Sequence, residues 1–187
     1  MDPKRSLSVN VWLDQELLRA MRSNSGLKEK VSEIFDLLQE PVYRYLLVAV
    51  GDVQEAEDLT QEVFLRLFQC LDKGQVVFNI RAWVFRVAHN LAITRHKRAV
   101  LLTSLDVEGL GKQPAPEDPE RTLLEQEQYT RLEKALASLS PEEAQCLALR
   151  AEGLTYREIA EVVGMRLPNV FKFLGRVMSK LMSETYD

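Results

Sequence analysis

Between Arg81 and Arg98 the chain reads RAWVFRVAHNLAITRHKR, eighteen residues with five Lys or Arg, two His and no carboxylate. The chain as a whole is acidic, with a formal charge of -4, so this acid-free run is a local departure. Guanidinium and ammonium groups hold phosphates, an indole offers a flat apolar surface to an unstacked base, and an amide can hydrogen-bond base edges. A carboxylate there would repel the phosphate backbone. At 100° per residue Trp83, Arg86, Asn90 and Lys97 share a face with Ala82 and Ile93, and His89 lies beside it. Ile80, Val84, Val87, Ala88 and Leu91 point the other way, toward a core. A solvated basic helix is the bland alternative; Trp83 speaks against it, because its large apolar surface is poorly placed in bulk water.

Two further surfaces carry chemistry. In the helix opened by Asp52, the residues Val53, Ala56, Thr60, Val63, Phe64, Leu67 and Leu71 form the core stripe. Asp58, Gln61, Glu62, Leu65 and Gln69 face away from it, and Leu65 is an apolar side chain among acids, suited to docking on a basic partner. The third surface is TYREIAEVVGMRLPNVFKFLGRVMSKL, a capped helix, a turn at Gly164 and a second helix, which is the pattern of a helix-turn-helix. Thr155 caps its first helix, and Val170, Leu174, Val177 and Leu181 of the second face inward. Asn169, Lys172, Arg176 and Lys180 share the outer face, suited to a major groove.

No paired carboxylates at metal spacing, phosphate loop or nucleophile constellation occurs, so the reading is of a non-enzyme without cofactor or metal. Cys70 and Cys146 are read as buried free thiols.

The elements that must position these side chains are all helices. Apolar residues recur every three or four positions, and the chain holds only eight Gly in 187 residues. A first helix is expected in WLDQELLRAM. A second runs through KEKVSEIFDLLQ, is interrupted at Pro41, and resumes to Gly51. Asp52 with Glu55 opens the helix that ends near Leu71, DKGQVVFN is a loop, and the acid-free helix runs from Ile80 or Arg81 to about Val100. TSLDVEGLGKQPAPEDP, with three Pro and two Gly, breaks the pattern as a linker. Helix returns at ERTLLEQEQYTRLEKALASL. Ser140, Pro141 and Glu143 open another helix that ends at Gly153, Thr155 and Glu158 open the next, and the last runs from about Pro168 to Met182. The expected fold is all-α: an N-terminal extension (1–30), a helical domain (31–101), a flexible linker (102–121) and a second helical domain with the helix-turn-helix (122–187). No apolar run is long enough to span a membrane and the N-terminus lacks a secretory core, so a cytoplasmic location is expected.

GDVQEAEDLTQEVFLRLF followed by NIRAWVFRVAHNLAITRHKR resembles domain 2 of the extracytoplasmic-function group of sigma-70-like RNA polymerase sigma factors, and ALASLSPEEAQCLALRAEGLTYREIAEVVGM resembles their domain 4. The resemblance spans about residues 33–100 and 130–182. It implies that Asp58, Gln61, Glu62 and Leu65 dock on the β′ clamp of core polymerase. It implies that Phe78, Asn79, Trp83, Arg86, His89, Asn90 and Lys97 open and hold the single-stranded −10 element. It assigns Thr155, Asn169, Lys172, Arg176 and Lys180 to the duplex −35 element, and it admits an anti-sigma factor as a further partner. One departure stands out: Phe171 and Phe173 occupy the second helix where polar or basic residues are common in the family. The competing reading is a helix-turn-helix regulator that binds duplex operator DNA without polymerase, for which neither Leu65 nor Trp83 is needed.

Overall fold

A computed structural model describes residues 3–103, 130–131 and 134–186, with side chains described for 12–95, 130–131 and 134–182. Among the described residues the fold is all-α. Helix α1 (Pro3–Arg22) is twice the length expected for the extension, and it packs on α2 (Leu27–Val50) and α4 (Ile80–Thr103). Helix α3 (Val53–Asp72) completes the first unit. The second unit holds helices Pro141–Ala151, Tyr156–Val163 and Leu167–Tyr186. Helix α4 continues to Thr103, slightly beyond its expected end; the rest of the expected linker and the start of the helix after it lie outside the described residues.

Pro41 does not interrupt α2. The helix runs through it, because Ile34 and Leu38 before the proline and Val42, Tyr45 and Leu46 after it are all buried on one stripe. Burial of side chains on both flanks outweighs the roughly 3 kcal/mol that an interior proline costs. Gly51, at φ 78°, ends α2 in the left-handed region that a glycine adopts without strain. The Asp52 side chain then accepts from the Glu55 N–H at 2.7 Å to start α3.

Ala56, Leu59, Thr60, Val63, Phe64 and Leu67 form the buried stripe of α3, with Phe64 edge-on to Phe35 at 4.9 Å between ring centroids. Val53, expected in that stripe, is 44% exposed: at the first residue of α3 the stripe has not yet come under its neighbours. On α4, Ile80, Val84, Ala88 and Leu91 are buried as the wheel requires, while Val87 is only half-buried. Phe85 meets Tyr45 edge-on at 5.7 Å.

In the second unit both capping boxes form: Ser140 with Glu143, and Thr155 with Glu158. Gly164 turns the chain at φ 69°, and Val170, Leu174 and Val177 seat the last helix against its partners. Leu181 is half-buried and Cys146 fully buried; Cys70 is only half-buried, its thiol donating to Gln75 Oε1 at 3.0 Å. The two units are not separate. Helix α2 packs on Pro141–Ala151 and α4 on Tyr156–Val163, so that Leu149, Leu154 and Ile159 share one continuous apolar cluster with Tyr45, Val84 and Phe85.

Candidate nucleic-acid interface

The acid-free helix is started by a residue whose capping role the sequence reading missed. Asn79 Oδ1 accepts from the Ala82 N–H at 2.9 Å and its backbone carbonyl from the Trp83 N–H at 3.0 Å, so Asn79 is the N-cap of α4. Phe78, immediately before it, is 92% exposed. Arg86 and Asn90 are exposed about two and three turns further along. Trp83 is half-buried and packs against the core, so only part of its ring faces the surface. Ala82 is buried, and the side chain of Lys97 lies outside the described residues.

His89 does not share this surface. It is 5% exposed, and its Nδ1 shares a hydrogen bond with Tyr45 Oη at 2.7 Å. Burial lowers the imidazole pKa below its ordinary 6.5 and raises that of the Tyr45 phenol, so the pair is held neutral. The aromatic and cationic surface of α4 is therefore Phe78, Asn79, Arg86 and Asn90 with the exposed part of Trp83.

On α3 the expected grouping is present: Leu65 is 51% exposed, with Asp58 and Gln61 exposed and Glu62 half-exposed beside it. Glu62 Oε1 accepts from Arg66 Nε at 2.8 Å. These side chains line one wall of an open groove of about 840 Å³, and Leu91, Thr94 and Arg95 of α4 line the other.

The helix-turn-helix groups fewer of its expected side chains. Asn169 and Lys172 are exposed on the last helix, and Thr155 is exposed with its hydroxyl engaged in the capping box. Arg176 instead donates to buried Glu143 at 3.1 Å and lies over the Phe173 ring, and Lys180 donates to the Ser138 carbonyl at 3.3 Å. Phe173 completes the core edge, whereas Phe171 is exposed and stacks edge-on to Tyr156 at 4.5 Å.

Residues 34–100 match Sigma-70 region 2 and residues 129–181 match Sigma-70, region 4. The RNA polymerase sigma-H factor of Pseudomonas aeruginosa is 30% identical over 69% of this chain and 74% of its own length. The chain belongs to the sigma-70 family of RNA polymerase sigma factors. Among its relatives are the ECF RNA polymerase sigma factor BldN of Streptomyces coelicolor, 30% identical over 76% of this chain, and the RNA polymerase sigma factor YlaC of Bacillus subtilis, 26% identical over 82%. The sigma-family chain spans 55% of the length of BldN and 91% of YlaC. In fold it is similar to the sigma factor RpoE, solved with the anti-sigma factor NepR from Bartonella quintana, at a TM-score of 0.65 and 18% identity over 82% of this chain and 94% of that one. CnrH, solved with the cytosolic domain of CnrY, gives a TM-score of 0.56 at 19% identity over 91% of this chain and 96% of that one.

One cation of this sigma factor was not singled out from its sequence. Arg81 is 4% exposed, donating to Asp14 of α1 at 3.2 Å and lying 3.9 Å from Glu158 of the helix-turn-helix. Burial raises the Asp14 pKa, and Arg81 only partly offsets that rise. Glu158 is held the other way: burial pushes its carboxyl up, but hydrogen bonds from Thr155 and Asn79 and the charge of Arg81 outweigh it and hold the carboxyl below its ordinary range. Among the described residues no group of three or more His, Cys, Asp or Glu is placed to hold a metal ion, and no helix is long and apolar enough to cross a membrane.

The buried His89 gives the sigma factor a specific pH response. Its folded pKa lies below 6.5, so the stability contributed by the neutral ring is fully present above pH 6.5 and is lost as pH falls toward the folded value. Thermal unfolding is expected at a lower temperature at about pH 5.5 than at about pH 7.5. In His89→Gln, which can still hydrogen-bond Tyr45, that interval should flatten; an unchanged pH dependence in the variant would assign it to other groups.

Proposed function

We propose that this chain binds core RNA polymerase, recognises promoter −10 and −35 elements and assists strand opening, without catalysis of its own and in the cytoplasm. The observation that carries the reading is the pairing of two unlike surfaces on one helical unit: a groove wall with an exposed Leu65 among Asp58, Gln61 and Glu62, and an acid-free helix end with exposed Phe78, Arg86 and Asn90. The first suits a basic protein partner through Asp58, Gln61, Glu62 and Leu65. The second suits unpaired nucleic acid, for which a stacking ring and phosphate-seeking cations are needed. Residues 31–101 would carry both functions and residues 122–187 the contact with −35 duplex, through Thr155, Asn169 and Lys172. Arg176 and Lys180 would first have to leave Glu143 and Ser138. An anti-sigma factor, NepR, accompanies RpoE in the solved structure named above, and a protein of that kind is a natural partner for this chain too.

Run-off transcription with core polymerase on a genomic promoter library tests the reading. The chain should direct transcripts from a defined subset of promoters, and core with and without the chain giving the same transcripts would sink it. Alone, the chain should bind duplex promoter DNA weakly, since a net charge of -4 gives little long-range attraction. Tight sequence-specific binding to duplex by the free chain, measured by mobility shift, would instead favour an operator-binding regulator.

A further inference from the structure

The last helix, Leu167–Tyr186, carries two features that the fold does not explain. Phe171 holds a large apolar ring 53% exposed, near the end of the helix that reaches base edges in a helix-turn-helix. Gly175, one turn further along, is an exposed glycine in the helix interior whose backbone is not left-handed. A Cβ added there would meet no atom within 4 Å, so neither packing nor backbone geometry calls for glycine. Alanine would stabilise the helix at that position. We propose that Phe171, beside the gap left by Gly175, reads the C5-methyl group of a thymine in the −35 duplex. The proposal rests on the −35 role of residues 122–187 given under the proposed function.

Three observations support it. The ring is held in place before any DNA arrives. It stacks edge-on to Tyr156 at 4.5 Å, and Arg150 lies over the Tyr156 ring at 5.5 Å while donating to the Leu154 carbonyl at 3.0 Å. Little rotamer freedom is then left to lose on binding. Next, a phenyl ring cannot hydrogen-bond a base edge, and the thymine methyl is the apolar group that base pairs show in the major groove. Any sequence information that Phe171 collects there comes from that methyl. Gly175 removes the side chain that would stand one turn along on the same face and hold the base edge away. Finally, from Val162 to Ser183 the chain has four Lys or Arg and no carboxylate, which suits a surface laid against phosphates. Exposed Asn169 and Lys172 flank Phe171 and can supply polar contacts to the same duplex. Met178 and Met182 continue the exposed apolar line, and the rival occupant of that line is a protein helix.

Holoenzyme assembled from core polymerase and the full-length chain tests this on a linear promoter taken from the run-off screen. Each −35 thymine, on either strand, is replaced singly by deoxyuridine, which deletes the methyl and keeps the base pair. At one or two positions wild-type holoenzyme should bind about fourfold more weakly by mobility shift. With Phe171→Ala that discrimination should vanish, whereas Phe171→Leu, still apolar, should keep part of it. Gly175→Ala should unfold at a higher temperature yet bind the thymine template about threefold more weakly, a split that a purely structural glycine would not give. It also serves if Phe171→Ala disturbs folding by circular dichroism. Equal binding of thymine and deoxyuridine templates by wild type, undiminished discrimination in Phe171→Ala, or wild-type binding by Gly175→Ala would overturn the proposal. A Phe171→Ala loss of equal size on every template, including one with a scrambled −35 element, would place the ring against a protein partner instead. The scrambled template also separates the two levels. Wild-type binding that falls with scrambling but ignores deoxyuridine removes the methyl reader and leaves the −35 role standing. Binding indifferent to scrambling removes the −35 role, and the reader with it.

Discussion

Leu65→Asp is expected to abolish co-purification of the chain with core RNA polymerase. Leu65 is half-exposed beside Asp58, Gln61 and Glu62, on the rim of the groove between α3 and α4. Burying that leucine against a partner is worth about 1.5–3 kcal/mol, which the substitution forfeits. The new carboxylate must also be desolvated next to Asp58 and Glu62, a cost of several kcal/mol more when no cation pairs with it. The sum is about a hundredfold or greater loss of affinity. Leu65→Ala loses only the apolar part and should weaken the complex about tenfold. Neither change touches the buried stripe of Ala56, Leu59, Val63 and Leu67, so helicity by circular dichroism should match wild type. Undiminished co-purification of a well-folded Leu65→Asp chain would remove the groove from the polymerase contact.

Much of this architecture is legible locally. Asp52 with Glu55, Ser140 with Glu143 and Thr155 with Glu158 are three-residue relations, and each forms the cap its spacing implies. The exposed Leu65 follows from helical periodicity alone. What the sequence hides depends on groups far along the chain. Pro41 looks like a break because its cost is local, while the burial that overrides it comes from neighbouring helices. His89 falls beside the basic face on a wheel, and only Tyr45, 44 residues earlier, shows that it is a satisfied core side chain. Arg81 sits in a run of cations and would be placed at the surface; its burial depends on Asp14, 67 residues earlier, and on Glu158 of the other unit. The same holds for the contact between units. The carboxylates at 158 and 161 read as a cap and a solvated charge until α4 lies against them.

These corrections change which residue best tests strand opening. Trp83 is half-buried in the core, so Trp83→Ala would mix lost stacking with lost stability. Phe78 has no such ambiguity. At 92% exposed it contributes almost nothing to packing, and its replacement should leave the unfolding temperature unchanged. A ring held in water beside the N-cap of the acid-free helix is placed to stack on a base leaving the duplex. Removing one stacking partner costs about 1–3 kcal/mol, so Phe78→Ala should lower open-complex formation by about tenfold or more. Permanganate reactivity of −10 thymines, measured with holoenzyme on a linear promoter, reads this directly. On a template already mismatched across the −10 element, part of the deficit should disappear, because extruding a base no longer carries the unpairing cost of a few kcal/mol. Phe78→Tyr keeps the flat ring and should stay within about twofold of wild type. Should Phe78→Ala open a fully paired promoter as well as wild type, stacking at this loop is not what captures the unpaired strand, and the work would fall to Arg86, Asn90 and the exposed part of Trp83.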